Sequence, residues 1–400
     1  MITVGEADEI ILGDIKEFPS VKIPLQEAFG MVLREDLHAD RDLPPFNRVA
    51  MDGIAIQFAS WQSGKRSFPI EGIQPAGSPV LTMNNVNACI EVMTGAILPQ
   101  GCDCVIPVEN ISVQEGRASL REGFKLSLMM NVHQQGSDYI SGTPLVAKGC
   151  RLLSLQIAVA ASIGKDPICV TQFPKIAVIG TGDELVAVDQ TPLPHQIRQS
   201  NSYALKAAME LHGYRDVTRF HMRDDKAELC KQLGEILEIF DIIVLSGGVS
   251  MGKFDYIPEV LKELGVEVLF HKVKQRPGKP FWFGKNGQGK PVFALPGNPV
   301  ATQIGVYRYV LPYLDKATQY LKTSCQFAAL DCDVEVKVPL TYFLPVQIIH
   351  QPDGLCLASP IFPHGSGDYA SLVKSDGFLT LPGEVSQFAK GMSFPLYKWH

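Results

Sequence analysis

The sequence predicts a multidomain α/β protein, with a central parallel sheet, an extended helical domain, an inserted β domain and a C-terminal β-barrel domain. In residues 173–327, apolar strand-type runs alternate with amphipathic helical segments, as in a parallel sheet covered by helices on both faces. Residues 46–138 contain short β-type runs separated by Gly, Pro and Asn turns. Residues 328–400 lose helical periodicity and contain short strand-type runs, which is typical of a small β-barrel or β-sandwich.

The composition excludes several classes of protein. The chain has 400 residues, a formal net charge of −6 and 46% hydrophobic residues, which allows roughly two to four domains. The acidic balance argues against a nucleic-acid-binding protein, which usually needs a basic face. No apolar stretch approaches the ~18 residues that span a membrane, and the acidic N-terminal segment does not resemble a secretory signal. We therefore expect a cytoplasmic protein that binds neither nucleic acid nor membrane.

The nine cysteines are scattered and do not predict a disulfide scaffold. Cys102 and Cys104 form a lone C-x-C pair, which is either a metal or redox pair or two small buried residues of a strand. Because no second Cys or His pair lies nearby, the pattern favours buried strand residues. A reducing cytoplasm fits this usage.

The first part of the chain predicts an extended domain that is interrupted by a β domain. Residues 1–45 have helical character, and residues 24–30 read as a short helix with Pro first and Gly last. Helical character returns at residues 152–163. We therefore expect segments 1–45 and 139–172 to form one domain around the inserted domain of residues 46–138.

The central domain, residues 173–327, has the clearest pattern. The predicted strands are 175–180, 217–221, 241–245 and 267–273, with a hairpin between 281–283 and 291–295; the predicted helices are 201–211, 225–240, 256–264 and 298–314.

Three Gly-rich turns follow strands of this sheet, at residues 181–184, 246–250 and 296–299. The carboxyl ends of parallel strands lie at one edge of a sheet, which is where such sheets bind ligands. Small residues let a ligand approach the backbone, and free N–H groups suit an anion. One such turn alone is as well explained as a tight strand-to-helix connection; three at one edge favour an anion site.

Residues of both charges lie near the same edge. Arg276 and Lys279 could hold phosphate or another oxyanion, or form a solvated basic turn. The acids there are Asp183, Glu184, Asp224, Asp225 and Asp255. Acids beside a phosphate site predict a mediating Mg²⁺. Each acid alone is better explained as a helix N-cap, and Asp224 and Asp255 directly precede predicted helices. The sequence has no P-loop, no G-x-S-x-G elbow and no H-E-x-x-H motif.

The motifs, in their order, resemble the molybdopterin molybdenumtransferase family, which includes bacterial MoeA and the E domain of gephyrin. The similarity extends over nearly the whole chain. The matching segments are LPPFNRVAMDGIAI (43–56), MTGAILPQGCDCVIPVEN (93–110), GSDYISGTPLVAKGCRL (136–152), TGDEL (181–185), QIRQSNSYAL (196–205), RDD (223–225), SGGVSMGKFDY (246–256), RPGKPFWFGK (276–285), LPGNPV (295–300) and HGSGDYASLVKSDGFLTLP (364–382).

The resemblance implies an enzyme that inserts molybdate into adenylylated molybdopterin and releases AMP, with Mg²⁺ present. It implies a four-domain subunit whose sheet domain is of the molybdopterin-binding type, and a homodimer in which residues 1–45 and 139–172 form the dimerisation domain. The pocket would lie between the α/β domain of one subunit and the β domain of the other. A possible protein partner is the upstream molybdopterin adenylyltransferase.

The resemblance also assigns roles to individual residues. The predicted catalytic residues are Asp52, Glu184, Asp225, Asp255 and Lys279, of which Glu184, Asp225 and Asp255 are the predicted Mg²⁺ ligands. The predicted substrate-binding residues are Thr94, Asp138, Thr181, Gly182, Asp183, Ser246, Gly247, Gly248, Ser250, Arg276, Pro296, Gly297, Asn298 and Pro299. Without the resemblance, Asp52 is also explained as an Asx-turn residue before Gly53.

The chain departs from the family pattern at acidic positions. Asn47, Ser137 and Gln199 stand where the family usually has carboxylates, and Arg276 replaces a lysine. We still expect the enzyme described above, because the acids at Asp52, Asp183, Glu184, Asp225 and Asp255 remain. The losses leave open a non-catalytic protein that binds or stores molybdopterin, and the resemblance to gephyrin leaves open a scaffold of the same fold. The sequence does not distinguish molybdate from tungstate.

Overall fold

The structure, a computed structural model, describes residues 1–249, 256–321, 326–365 and 367–399. Backbone contacts divide the chain into two compact units. The larger unit contains Met1–Arg34, Gly149–Leu153 and Ile168–His400, and the smaller unit contains Glu35–Lys148 and Ser154–Pro167. The division into four domains, with the boundaries given above, stays a prediction. Within the described residues, no helix has the length and apolar character needed to span a membrane.

A six-stranded sheet forms the centre of the larger unit. Its strands, in spatial order, are Val217–Met222, Ile176–Thr181, Ile242–Ser246, Pro291–Leu295, Trp282–Lys285 and Glu267–His271. The first four run parallel, and Trp282–Lys285 runs antiparallel to both of its neighbours. The parallel sheet and the hairpin are therefore confirmed.

Helices cover both faces of this sheet, as predicted. Alternate residues of a strand enter different cores: Ile176 and Val178 pack in one, Ala177 and Ile179 in the other. Asn201–Leu211, Pro299–Gly305 and Leu311–Ala317 contribute residues to the first core, and Lys226–Ile239 and Ile257–Glu263 to the second. The predicted helix 298–314 contains a π-helical segment, Val306–Val310, which the apolar periodicity did not reveal.

The C-terminal barrel is also confirmed. Its strands, in order around the barrel, are Thr341–His350, Cys356–Pro360, Gln326–Leu330, Ser393–Lys398 and Gly377–Leu381. The last strand pairs with the first, so the ring closes and encloses an apolar core. The short strand Gln275–Arg276 adds to Thr341–Tyr342 in parallel register. The minor elements of this unit are Leu185–Val186, Ile197–Arg198, Val334–Glu335, Tyr369–Leu372 and Gln387–Phe388.

The expectation that residues 1–45 are helical is wrong for most of that segment. Its one α-helix, Val4–Gly13, begins with a capping box formed by Thr3 and Glu6. Ser20–Ile23 is a strand paired with Ile168–Thr171, and the segment predicted as a helix at 24–30 contains only a 3₁₀ turn, Leu25–Glu27. Local periodicity does not report a strand partner that lies so far away in sequence.

The smaller unit contains the predicted β domain. Its sheet has the strand order Cys104–Pro107, Gly53–Ile56, Cys89–Val92, Ser67–Gln74, Arg117–Leu120 and Ile111–Gln114. Its other elements are Leu37–His38, paired with Pro144–Val146; Arg48–Val49, paired with Val132–His133; and the helices Phe58–Gln62 and Ser154–Ser162. Two strands approach closely at Gly53, where a Cβ atom would lie 1.9 Å from the carbonyl oxygen of Ile106.

Candidate functional site

The structure brings the described parts of the three Gly-rich turns together at one edge of the central sheet. The N–H of Gly247 donates to the carbonyl of Leu295 at 3.1 Å. A Cβ atom on Gly247 would lie 2.7 Å from the carbonyl oxygen of Thr181, and a Cβ on Gly297 would lie 3.6 Å from the Cα of Gly247. Gly247 adopts φ +105°, so its lack of a side chain is needed both for its conformation and for this contact.

Thr181 has a buried hydroxyl at the centre of these turns. The residue is 4% exposed, and its Oγ1 has no hydrogen-bond partner among the described residues. Cβ atoms built on Gly247 and Gly248 would lie 2.8 and 2.9 Å from this oxygen, so the hydroxyl faces the glycine turn. A buried polar group is normally hydrogen-bonded, and a ligand oxygen at the turn would supply the missing partner.

Asn201, at the start of the helix Asn201–Leu211, connects the second and third turns. Its Nδ2 donates to the hydroxyl of Ser246 at 2.8 Å and to the carbonyl of Gly297 at 2.9 Å. Its Oδ1 accepts a hydrogen bond from the hydroxyl of Tyr369 at 2.9 Å. Burial raises the pKa of this tyrosine to about 12, so that it remains a donor at neutral pH.

Thr302 ties down the backbone of the third turn, from the first turns of the following helix. Its hydroxyl lies 2.5 Å from the carbonyl oxygen of Pro296 and 2.9 Å from that of Asn298. Asn298 is the N-cap of Pro299–Gly305, and its Oδ1 accepts a hydrogen bond from the N–H of Ala301 at 3.1 Å. The turn is therefore fixed before any ligand arrives.

The acids near this edge are only partly grouped. The N–H of Asp224 donates to Asp183 at 3.3 Å, which joins the loops that carry Glu184 and Asp225. Asp225 is the N-cap of Lys226–Ile239, and its carboxylate accepts a hydrogen bond from the N–H of Glu228 at 2.8 Å. The prediction that Asp224 caps this helix is therefore wrong. The carboxylate of Glu184 folds over Gly182, where a Cβ would lie 2.4 Å from Oε2.

The structure does not test the predicted Mg²⁺ site completely. Within the described residues, no three His, Cys, Asp or Glu side chains are grouped as metal ligands. Asp255 and Ser250 lie outside the described residues. Their predicted roles in metal and substrate binding stay predictions.

Arg276 and Lys279 are both exposed, on a loop whose neighbouring residue Gln275 is buried. The loop is held at Gly278, whose carbonyl accepts from the side-chain amide of Gln275 at 3.1 Å. Both cations are thus available to an anion.

In the smaller unit, Asp52 and Thr94 lie in direct contact. The carboxylate of Asp52 accepts from the backbone N–H of Thr94 at 2.6 Å and from its hydroxyl at 2.9 Å. These two bonds lower the pKa of Asp52 below its ordinary value, and the bond from the backbone N–H has the larger effect. The carboxylate of Asp52 thus binds a second predicted site residue.

The other predicted residue of this unit, Asp138, is exposed, and the hydroxyl of Ser137 lies 3.5 Å from its carboxylate. The nearby Asn47, where the resemblance predicts a carboxylate, accepts a hydrogen bond from the N–H of Gln135 at 2.9 Å. The amide oxygen of Asn47 therefore has a structural role as a hydrogen-bond acceptor.

The C-x-C pair is not grouped as a metal site within the described residues. Cys102 and Cys104 are buried, and the thiol of Cys104 donates to the carbonyl of Ile56 at 3.6 Å. Burial raises the pKa of the Cys102 thiol to about 12, which disfavours the thiolate that a metal would need. The expectation that both cysteines are buried is confirmed; Cys104 begins the strand Cys104–Pro107, whereas Cys102 precedes it.

Sequence profiles of known families match the chain along its length. The MoeA N-terminal region (domain I and II) matches residues 2–164, a probable molybdopterin binding domain matches residues 177–316, and the MoeA C-terminal region (domain IV) matches residues 328–399. A protein of Synechocystis sp. named molybdopterin molybdenumtransferase is 38% identical over 400 residues, which cover 100% of both chains. The chain belongs to the molybdopterin molybdenumtransferase family. This is a family of molybdenum cofactor biosynthesis.

Further members of the molybdopterin molybdenumtransferase family agree with this result. The protein of that name from Staphylococcus epidermidis is 32% identical, over 98% of this chain and 94% of its own. Two crystal structures of the molybdopterin biosynthesis MoeA protein from Pyrococcus horikoshii have a TM-score of 0.82 at 29% and 25% identity. They cover 100% of this chain and 99% and 100% of theirs. The multidomain fold predicted for this member of the family is therefore confirmed.

Sequence reasoning missed residues that organise the turns in this member of the molybdopterin molybdenumtransferase family. Asn201 was predicted only as the start of the helix 201–211, and Tyr369 and Thr302 were not singled out. One signal was present, since Asn201 and Tyr369 each lie inside a segment that matches the family (196–205 and 364–382). The contact between them joins residues far apart in sequence, and no local pattern reveals it.

Proposed function

We propose that the protein inserts molybdate into the dithiolate of adenylylated molybdopterin and releases AMP, in a reaction that depends on Mg²⁺. The observation that carries this proposal is the convergence of the Gly-rich turns around the buried hydroxyl of Thr181, which has no hydrogen-bond partner among the described residues. Membership of the molybdopterin molybdenumtransferase family supports the choice of substrate.

The phosphate of the substrate would bind to the turns at residues 181–182, 246–248 and 296–299. Glycines there allow close approach. The N–H groups of Gly182 and Gly247 donate to carbonyls of Met222 and Leu295, so other backbone N–H groups of the turns would stabilise the anion. Thr181 would donate its hydroxyl to a phosphate oxygen. Asn201 and Thr302 hold the turns in this arrangement through hydrogen bonds that need no ligand.

Mg²⁺ would be held by Glu184, Asp225 and Asp255 together with oxygens of the substrate. The donor chemistry fits, because Mg²⁺ commonly binds one or two carboxylates plus phosphate oxygens. Glu184 and Asp225 lie on loops that are joined by the bond between Asp224 and Asp183. Bound Mg²⁺ would neutralise phosphate charge and polarise the phosphoryl group that is attacked.

Arg276 and Lys279 would hold molybdate, which is an oxyanion. Both side chains are exposed on a loop that internal hydrogen bonds fix. Arginine offers a planar set of donors and lysine a compact charge, and the pair suits a small tetrahedral anion. Tungstate has the same shape and charge and would compete for this site.

Asp52, Thr94 and Asp138 would bind substrate from the smaller unit. Because its hydrogen bonds to Thr94 lower the pKa of Asp52, this carboxylate is ionised at neutral pH. We also propose that the protein is a cytoplasmic homodimer, and that an upstream molybdopterin adenylyltransferase supplies its substrate.

The test is to incubate the protein with adenylylated molybdopterin, molybdate and Mg²⁺ and to measure AMP and active cofactor. AMP release that requires both ions, at a rate comparable to that of a family control, supports the proposal. Absence of AMP and of active cofactor, in a preparation where the control works, rejects it.

A second candidate is a non-catalytic protein that binds or stores molybdopterin. The observation that favours it is the loss of acids at Asn47, Ser137 and Gln199. Asn47 makes a local hydrogen bond that keeps its loop in place. Tight binding of the pterin without any turnover would select this candidate, and assembly into open oligomers rather than a closed dimer would point to a scaffold.

A further inference from the structure

The short strand Gln275–Arg276 and the loop that follows it carry the two proposed molybdate-binding cations, Arg276 and Lys279. The strand pairs with Thr341–Tyr342 of the barrel. Its two residues differ in exposure: Gln275 is 2% exposed, whereas Arg276 is open to solvent. Successive side chains of a strand point to opposite faces. The contacts that keep the Gln275 side chain buried therefore also fix the face of the strand to which the Arg276 side chain points.

The side-chain amide of Gln275 is engaged at both ends. Its Nε2 donates to the carbonyl of Gly278 at 3.1 Å, and its Oε1 accepts from the hydroxyl of Tyr309. Gly278 adopts φ +90°, and a Cβ there would lie 2.8 Å from Nε2 of Gln275, so the loop lies directly against this amide. Lys279 closes the loop, since its carbonyl accepts from the N–H of Val273 at 3.0 Å.

Tyr309 reaches this loop from the π-helical segment Val306–Val310. A π-helical turn changes the direction in which the side chains around it point, and such segments are frequent at functional sites. Tyr309 is 1% exposed, and its ring lies 4.8 Å from that of Phe281, beyond the other end of the loop. Burial raises the pKa of its hydroxyl, so Tyr309 stays protonated and remains a donor.

We propose that Tyr309 and Gln275 are positioning residues for the oxyanion: Tyr309 orients the amide of Gln275, and the amide fixes the loop that presents Arg276 and Lys279. Neither positioning residue touches the oxyanion. The proposal rests on the proposed function for the identity of the anion, whereas the chain of hydrogen bonds belongs to the protein itself.

Tyr309→Phe tests this directly, because it removes the hydroxyl and keeps the ring. We expect the molybdate concentration that half-saturates AMP release to rise about tenfold. The kcat at saturating molybdate and the half-saturating concentration of adenylylated molybdopterin should change by less than about twofold. Tyr313→Phe is the matched control: Tyr313 is 1% exposed, lies in the next helical segment and packs on Phe293. It should behave as the wild type.

Gln275→Met is the second variant, and it reports on the loop even if Tyr309→Phe folds poorly. It removes both amide contacts and should raise the half-saturating molybdate concentration at least as much. Because both residues act through one chain of hydrogen bonds, the double variant should match Gln275→Met alone. Wild-type half-saturation in Tyr309→Phe, an equal loss for both substrates, or additive effects in the double variant would overturn the proposal.

Calorimetric titration with molybdate alone separates this proposal from the proposed function. If the wild type releases no AMP but binds molybdate about ten times more tightly than Tyr309→Phe, the proposed function fails and the positioning role stands. If AMP release is normal and both proteins bind molybdate equally well, the positioning role fails and the proposed function stands.

Discussion

Truncation of Asn201 should loosen the turns that form the candidate phosphate site. Asn201→Ala removes the hydrogen bonds to Ser246, Gly297 and Tyr369, at 2.8, 2.9 and 2.9 Å. Alanine is the best helix former, so the helix that begins at this position keeps its own stability. The effect of the change should therefore fall on the turns.

The magnitude follows from the number of bonds and the burial of their partners. One intramolecular hydrogen bond contributes about 1 kcal/mol net, and a buried group that is left without a partner costs more. Ser246 is 3% exposed and keeps a second contact of 3.4 Å to Thr302. We therefore expect the local free energy of opening to fall by about 2–3 kcal/mol, a factor of about 30 to 150 in the population of the open state.

Hydrogen exchange of the Gly247 amide measures this local opening, because that N–H is bonded to the carbonyl of Leu295 across the turns. Asn201→Ala should accelerate its exchange by the factor above. Tyr369→Phe removes only one of the bonds and should accelerate it about fivefold. The amide of Val105, which donates to Met130 in the smaller unit, is the internal control and should not change.

Two outcomes would refute this reasoning. If Gly247 exchanges at the wild-type rate in Asn201→Ala, the asparagine does not hold the turns together. If Gly247 and Val105 accelerate equally, the substitution destabilises the whole protein rather than the turns.

The remaining predictions concern both units. Thr94→Ala removes one of two hydrogen bonds to Asp52, so the pKa of this carboxylate should rise towards its ordinary value; a titration followed by NMR that shows no upward shift would contradict the assignment. Because the pKa of Asp52 is lowered, its ionised, hydrogen-bonded form is present at neutral pH. This form is lost as the pH falls through the lowered pKa. Asp255→Ala should abolish AMP release and leave the melting temperature unchanged, and wild-type rates would remove this residue from the metal site. Gly53→Ala should destabilise the smaller unit by at least about 2 kcal/mol, because the new Cβ would lie 1.9 Å from the oxygen of Ile106; unchanged denaturation of that unit would show that the strands can separate cheaply.

Sequence patterns predicted the central sheet well, because its signals are local. The predicted strand 175–180 is continuously apolar after Lys175, as expected for a strand buried on both faces, and the structure buries the whole strand Ile176–Thr181. The Gly turns were predicted to share an edge because parallel strands end together, and the contact between Gly247 and Leu295 agrees. The barrel strands were predicted as β-type from their short apolar runs and their lack of helical periodicity. The structure shows that these strands close into a ring.

The features that sequence reasoning missed depend on contacts between distant residues. Ser20–Ile23 pairs with Ile168–Thr171. The helical prediction for this segment was wrong because the local sequence does not reveal so distant a strand partner. Tyr309 and Gln275 meet through a π-helical segment, which ordinary helical periodicity does not predict. The resemblance to the family assigned roles to residues within the motifs. It did not identify the polar side chains that hold those motifs in place.

Asp225 illustrates a residue for which two sequence interpretations are compatible. It was predicted both as a metal ligand and, in common with other acids of this edge, as a possible helix cap. The structure places it as the N-cap of Lys226–Ile239 through a single carboxylate oxygen, Oδ1. A carboxylate has several lone pairs and can accept more than one bond, so the cap does not use up its capacity to bind a cation.

The central claim is that this protein cleaves adenylylated molybdopterin in step with molybdate insertion. A single-turnover experiment with enzyme in excess tests it most directly, by following AMP and metal-loaded cofactor over time in the presence of Mg²⁺. The account predicts equal amounts of AMP and loaded cofactor, and neither product when molybdate or Mg²⁺ is left out. A stable complex with intact adenylylated molybdopterin, formed in the presence of both ions, would contradict it.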